Sequence, residues 1–215
     1  MPLKPASGIG SFKRLAMNKK ATDRIINAWV LTYLFGPSSL LSLSAFVIGY
    51  GWPGMVDVVQ PIAEWLGLHH IVESRILGAD FGSAAYLYWA TFWITFPLSL
   101  VWLHLAGVRQ GLLSALRSVA LANLSSGAWD PQKYTLRGGY ARVSGWTALT
   151  VSVFVVQVFT AAEPSSCKGC ESSSVLGFVL INWGGVHMML VGSYIAGSYL
   201  VLWKSVHRSF FGARK

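Results

Sequence analysis

Residues 83–107 read SAAYLYWATFWITFPLSLVWLHLAG and contain no aspartate, glutamate, lysine or arginine. At a helical rise of about 1.5 Å per residue, such a run crosses the roughly 30 Å of hydrocarbon in a bilayer. Three further runs, 28–50, 145–162 and 175–203, are equally uncharged, and the shortest of them just reaches spanning length. Hydrophobic residues make up 53% of the 215-residue chain and charged residues 12%. A soluble domain carries about 25% charged residues. Half that density leaves too little polar surface to cover a globule, whereas lipid covers apolar helices whose backbone bonds close internally. The sequence therefore predicts an all-α integral membrane protein with four transmembrane helices.

The charges between the runs orient them. Of the 17 lysines and arginines, only Arg75 and Lys168 fall in the connections 51–82 and 163–174, beside most of the acidic residues. The others lie in residues 1–27, in the middle loop and in the tail 204–215. Basic residues in short loops resist translocation, so both termini are expected in the cytoplasm, consistent with an even number of spans. The net charge of +9 is thus a matter of topology, and no nucleic-acid partner is inferred from it. The expected organisation is a basic amino-terminal segment (1–27), one four-helix membrane domain (28–203) and a basic tail (204–215). The basic termini suit anionic lipid headgroups. The amino terminus is too polar to serve as the apolar core of a cleavable signal.

Short amphipathic helices are expected beside the spans. One covers 62–77 in the first outer connection, with Trp65 at headgroup depth. Another covers 109–124 in the cytoplasmic loop, where Leu112, Leu113, Leu116, Val119 and Ala120 recur at helical spacing, either continuing the second span or lying on the membrane. Ser125, Ser126, Gly127, Asp130 and Pro131 end it.

Several positions within the spans bear on function. Gly36-Pro37 interrupts the first helix and removes one backbone donor, with the hydroxyls of Ser38 and Ser39 near enough to compensate. A simple kink is preferred to a substrate-lining break. Tyr86, Trp89, Trp93 and Phe96 share a helix face, where Trp89 and Trp93 would stack on a quinone or haem. Lipid-facing and interface-anchoring aromatics give the same pattern and are the preferred reading. Gly184, Gly185, Gly192, Ser193, Ala196 and Gly197 form a small-residue stripe suited to helix packing, favoured as intramolecular. His187 is the one ionisable side chain deep in a span, a position where such groups are costly. It is a candidate for accepting a proton or contacting a quinone or haem. A bis-histidine haem would need His104, which sits at a different depth. A hydrogen bond from His187 to Gln157 or to a serine of the first span is preferred.

Cys167-Lys168-Gly169-Cys170 holds the only two cysteines, on the predicted outer side. Two thiols at this spacing in an oxidising compartment close a small disulfide, and Lys168 favours a reactive thiolate. Four membrane helices with a Cys-x-x-Cys at the outer start of the fourth resemble the vitamin K epoxide reductase group and the bacterial quinone-linked enzymes that reoxidise thiol oxidases. The resemblance implies electron exchange between Cys167, Cys170 and a membrane quinone. Those families relay electrons through a second cysteine pair in an outer loop, and residues 51–82 contain no cysteine. A disulfide pinning a short loop is the preferred reading. Zinc would need four ligands, and His69 and His70 lie at an unsuitable spacing from the cysteines, so no metal is expected.

The functional expectation is a non-enzymatic multi-pass subunit of the bacterial inner membrane, without a cofactor, surrounded by lipid and by other membrane subunits. It would scaffold or assemble an envelope complex such as secretion or conjugation machinery. A quinone-coupled thiol-disulfide oxidoreductase is the first alternative, and a small channel, holin or transporter the second.

Overall fold

The computed structural model describes residues 19–76, 81–159 and 174–212, and within them every regular element is helical. In chain order the main helices are α1 (Lys19–Leu34), α2 (Pro37–Gly51), α3 (Val56–Trp65), α4 (His69–Ile76), α5 (Gly82–Gln110), α6 (Leu112–Ser125), α7 (Leu136–Phe159) and α8 (Val175–Gly212). Three of them, α5, α7 and α8, are long and apolar enough to cross a membrane, and the pair α1–α2, bent by 41°, qualifies as a fourth if counted as one span. Cys167 and Cys170 lie outside the described residues.

The helix ends follow from local chemistry. Pro37 opens α2 at a position where the missing N–H costs nothing, after an extended Gly36. Gly67 at φ +69 separates α3 from α4, so the single helix expected over 62–77 is two. Gly111 at φ +70 likewise divides α5 from α6, since only glycine adopts that backbone readily. Ser174 caps α8 by accepting the Gly177 N–H at 3.0 Å. The α8 helix runs through the tail as far as Gly212, and its 38 residues make it about 57 Å long. It also contains a π-helical stretch, Val179–Gly185.

The described residues form two compact units, one from 19–30, 106–150 and 192–212, the other from 31–76, 81–105, 151–159 and 174–191. In the first, Ala120, Leu121 and Leu124 of α6 pack with Val143 of α7 and Trp203, Val206 and Phe210 of α8. Trp129 and Tyr134, stacked at 5.0 Å, pack against this cluster, and the Arg142 guanidinium lies 5.5 Å over the Tyr134 ring. The Arg117 guanidinium donates to the Ser209 hydroxyl. The apolar face of α6, expected against headgroups or as an extension of the second span, is thus buried against protein. Leu112, Leu116 and Leu124 are almost fully buried. The reason is that α6 has aromatic partners from α8 and the 126–135 turn that its own sequence does not announce.

In the second unit the start of α5 is enclosed on every side. Ala84 to Ala90 are consecutively buried, and Phe178 meets Phe46 at 4.5 Å, Tyr88 at 5.1 Å and Phe81 at 5.7 Å. Of the aromatic face of the second span, Tyr86 and Trp89 are therefore inside the protein, in place of the lipid-facing position expected for them, while Trp93 and Phe96 are half-buried. Further along α5, Leu98, Val101, Leu105 and Val108 are exposed, as a lipid-facing surface requires. Val58, Ile62 and Trp65 of α3 are exposed at helical spacing, which fits the expected interfacial helix.

Close backbone approach occurs away from the expected stripe. A Cβ placed on Gly49 lies 2.8 Å from Ala84 Cα, and one on Gly36 or Gly139 overlaps the indole of Trp102 or Trp203. At Gly192 and Gly197 it meets nothing within 4 Å, and at Gly184 and Gly185 only carbonyls of the same helix. Within the described residues the stripe is therefore not an intramolecular contact at those glycines. Leu190, by contrast, is 6% exposed. Leu190→Ala is expected to cost about 2 to 4 kcal/mol through the cavity it leaves, while Gly192→Leu leaves the monomer's detergent melting temperature nearly unchanged. A larger fall for Gly192→Leu would show that the stripe is occupied by a helix contact.

Candidate functional site

The interruption of the first span and the π-helical stretch of α8 both belong to the second unit, and polar side chains gather at them. In a regular helix the Thr32 carbonyl would take the Gly36 N–H. Instead Gly36 donates to Tyr33 O at 2.9 Å, filling the place that Pro37 cannot, and Trp102 Nε1 donates to Thr32 O at 3.3 Å. The freed carbonyl is therefore satisfied by an indole 70 residues away in sequence, and not by the neighbouring hydroxyls.

Those hydroxyls connect helices instead. Ser99 Oγ of α5 donates to Ser38 Oγ at 2.6 Å, and Trp183 Nε1 of α8 donates to Ser39 Oγ at 2.9 Å. Ser42 Oγ returns to Ser38 O at 3.1 Å. Ser38, Ser39, Ser42 and Ser99 are all at most 3% exposed. In lipid such bonds join helices that have no hydrophobic drive to associate. A double-mutant cycle of Ser38→Ala and Ser99→Ala, read by unfolding in detergent, is expected to give a coupling of about 0.6 kcal/mol. Additive single costs would show that the two hydroxyls act independently.

His187 is fully buried beside this seam. Its Nδ1 lies 2.6 Å from the carbonyl of Trp183, at the π-helical stretch of the same helix. The expected bond to Gln157 or a first-span serine is not made: the Trp183 carbonyl is one turn away on the same helix, and Ser38 and Ser39 are taken by Ser99 and Trp183. A carbonyl only accepts, so Nδ1 carries the proton and Nε2 of the neutral ring presents its lone pair. Nε2 is buried and makes no hydrogen bond among the described residues. The rings of Phe92, Tyr33 and Trp183 surround the imidazole at 5.6, 6.0 and 6.2 Å. The Tyr33 hydroxyl is also buried, beside Ser99 but outside hydrogen-bonding geometry to it.

No family model matches the chain, and no curated protein or solved structure matches it either.

The remaining candidates disperse. Trp89 is fully buried and meets Tyr88 and Phe92 edge-on, and Trp93 packs on Phe92 and Phe96 at 5.6 Å. His104 is exposed while His187 is buried, so the two do not face one group. His69 donates from Nε2 to Glu73 at 3.1 Å, and its Nδ1 lies 3.0 Å from the Tyr86 hydroxyl, an arrangement that ties α4 to α5. Among the described residues no three histidine, cysteine or acidic side chains converge as a metal set. Tyr33 and the Ser38–Ser99 and Ser39–Trp183 pairs were not distinguishable as site residues in the sequence. The usable signal was their clustering around Gly36-Pro37.

Proposed function

We propose that the protein is a non-catalytic multi-pass subunit of a bacterial inner membrane complex, with both termini cytoplasmic, serving in assembly or as a scaffold. The observation that carries this reading is the exposure of α7. Of its most apolar stretch 17% is buried, against 33% in each of α5 and α8. Trp146, Leu149, Val151, Val153, Val155 and Val156 project from it, more apolar surface than one lipid-facing side needs. The interior supports the same view. Three side-chain bonds in the second unit join helix to helix, Ser99 to Ser38, Trp183 to Ser39 and Trp102 to Thr32, which supports a fixed frame with the broken first span held by Trp102.

A photo-crosslinking residue at Val153 or Val156, in the native host membrane, is expected to yield discrete adducts with stoichiometric partner subunits that also co-purify in mild detergent. The same probe at the buried Phe154 should not. Adducts with lipid alone from all three positions would overturn the subunit reading.

A second reading, quinone-coupled thiol chemistry, draws on the lone pair of His187 Nε2 inside an aromatic wall. In that reading Cys167 and Cys170 would pass two electrons and two protons to a quinone as their thiols close to a disulfide, and Nε2 would accept a hydrogen bond from a hydroxyl of the quinol so formed. Under the scaffold reading, Cys167→Ser and Cys170→Ser, singly or together, are expected to leave complementation largely intact. The disulfide closes so short a loop that its entropic contribution falls below the roughly 3 kcal/mol of a 15-residue loop. Complete loss in each single mutant at normal expression would promote the oxidoreductase, because thiol exchange needs both sulfurs.

A further inference from the structure

The first unit contains a half-open cavity of about 420 Å³ between the first turn of α1 and the carboxyl-terminal half of α6. That volume lies in the range of small-molecule sites, about 300 to 1,000 Å³. From α1 it is lined by Lys19, Thr22 and Asp23, and from α6 by Ser118, Ser125 and Ser126 among others. Lys19 and Asp23 stand one helical turn apart on the same face, yet no ion pair joins them among the described residues. Both residues are solvent-exposed and line the cavity.

The α6 wall has a definite polarity. Ser118 Oγ donates to Ser114 O at 3.0 Å, Ser125 Oγ to Ala122 O at 2.9 Å and Ser126 Oγ to Asn123 O at 3.3 Å. With their protons committed to backbone carbonyls, the three hydroxyls offer only lone pairs, Ser126 already receiving the Ala128 N–H at 3.5 Å, and Asn123 adds an amide that both donates and accepts. Ser125 and Ser126 sit at the carboxyl end of a 14-residue helix, which carries partial negative charge, and Ser118 lies about two turns earlier. Together with the Asp23 carboxylate, that wall accepts hydrogen bonds from a cation. Lys19, beside the Thr22 hydroxyl, supplies the complementary group for an anion. A ligand carrying only negative charge would meet the acceptor wall unfavourably, and one carrying only positive charge would meet Lys19.

We propose that this cavity binds a zwitterion with a phosphate and a primary ammonium, the phosphoethanolamine head of a membrane phospholipid. The phosphate pairs with Lys19 and Thr22, and the ammonium donates to Asp23 and the serine oxygens of α6. The lipid is favoured over the free headgroup because the α1 wall of the cavity leads into an apolar run. Asp23 precedes the uncharged run 28–50 by five residues along α1, about 7.5 Å. A choline head, with no N–H to donate, satisfies the acceptor wall less well. The proposal rests on the chain residing in a bilayer but not on its having partner subunits, so co-purification results leave it standing or falling on its own test.

The test is native mass spectrometry of the full chain exchanged into micelles containing equal amounts of phosphatidylethanolamine, phosphatidylcholine and phosphatidylglycerol. Phosphatidylethanolamine is expected to be retained at least fivefold over each of the others. Asp23→Asn should abolish the preference over phosphatidylcholine, and Lys19→Gln should weaken retention of both phosphatidylethanolamine and phosphatidylglycerol, with unchanged melting temperatures. Equal retention of all three lipids would overturn the proposal. Preferential retention of phosphatidylglycerol would also overturn it, reducing the region to a basic surface. Displacement of the lipid by an equal concentration of soluble glycerophosphoethanolamine would overturn the lipid as the source. A preference unaffected by Asp23→Asn would place the selectivity elsewhere and remove this cavity as the site.

Discussion

Trp203→Ala is expected to destabilise the protein by about 3 to 5 kcal/mol, the range for removing a buried large aromatic. Trp203 is fully buried at the centre of the first unit, within 5.9 Å of the Tyr134 ring centroid and 6.4 Å of that of Trp129. Its indole N–H also donates to Leu136 O at 3.2 Å, fixing the first turn of α7 against α8. Truncation removes the packing and that bond together. Gly139 gives an internal control, since a Cβ there would overlap the same indole. Gly139→Val alone is expected to be destabilising by overpacking, whereas in the Trp203→Ala background it should cost less because the vacated space receives it. Thermal unfolding in detergent, followed by monodispersity, reads all four members of the cycle. Additive costs would mean that Trp203 and Gly139 do not share a contact in the folded chain.

The second large effect is expected at Gly49. A Cβ on this residue of α2 lies 2.8 Å from Ala84 Cα, 2.9 Å from Leu87 Cδ1 and 3.0 Å from Ser83 O. Two of these atoms are backbone and have no rotamer with which to withdraw, so any larger residue pushes α2 from α5. Gly49→Leu should lower stability by about 3 kcal/mol or more, the upper end of overpacking costs. Gly51→Leu, two residues on and with nothing within 4 Å of its Cβ, should change stability little. Similar melting temperatures for the two variants would show that α2 does not approach α5 as closely as described.

The contrast between Gly49 and Gly192 shows where sequence reading stops. Both are glycines in uncharged runs, and Gly192 with Ala196 even repeats the spacing associated with helix contacts. Spacing along one helix defines a possible surface, but a contact needs a second helix at a particular rotation, and nothing local in the chain encodes that rotation. The aromatic face of α5 illustrates the same limit. Tyr86, Trp89, Trp93 and Phe96 share a face by periodicity, yet apolar rings suit lipid and protein interior equally. Only the packing around α5 decides between them: it buries Tyr86 and Trp89 and leaves Trp93 and Phe96 half-buried, with Phe154 stacked on Phe96.

By itself the sequence determined the helical class, the apolar solvent, the positions of the long helices and the interruption at Gly36-Pro37. Each follows from properties summed over neighbouring residues: hydropathy along a run, the missing N–H of proline, the permissive backbone of glycine. Tertiary structure alone decided which group answers the freed Thr32 carbonyl and which helices Ser38 and Ser39 join. The interhelical bonds join residues 61 to 144 positions apart, and hydrogen-bond geometry is met or missed within a few tenths of an ångström. In a membrane domain a buried polar group has no bulk water as an alternative partner. The fold therefore assigns Ser38, Ser39, Ser99, Trp102 and Trp183 their roles by placing particular atoms within reach.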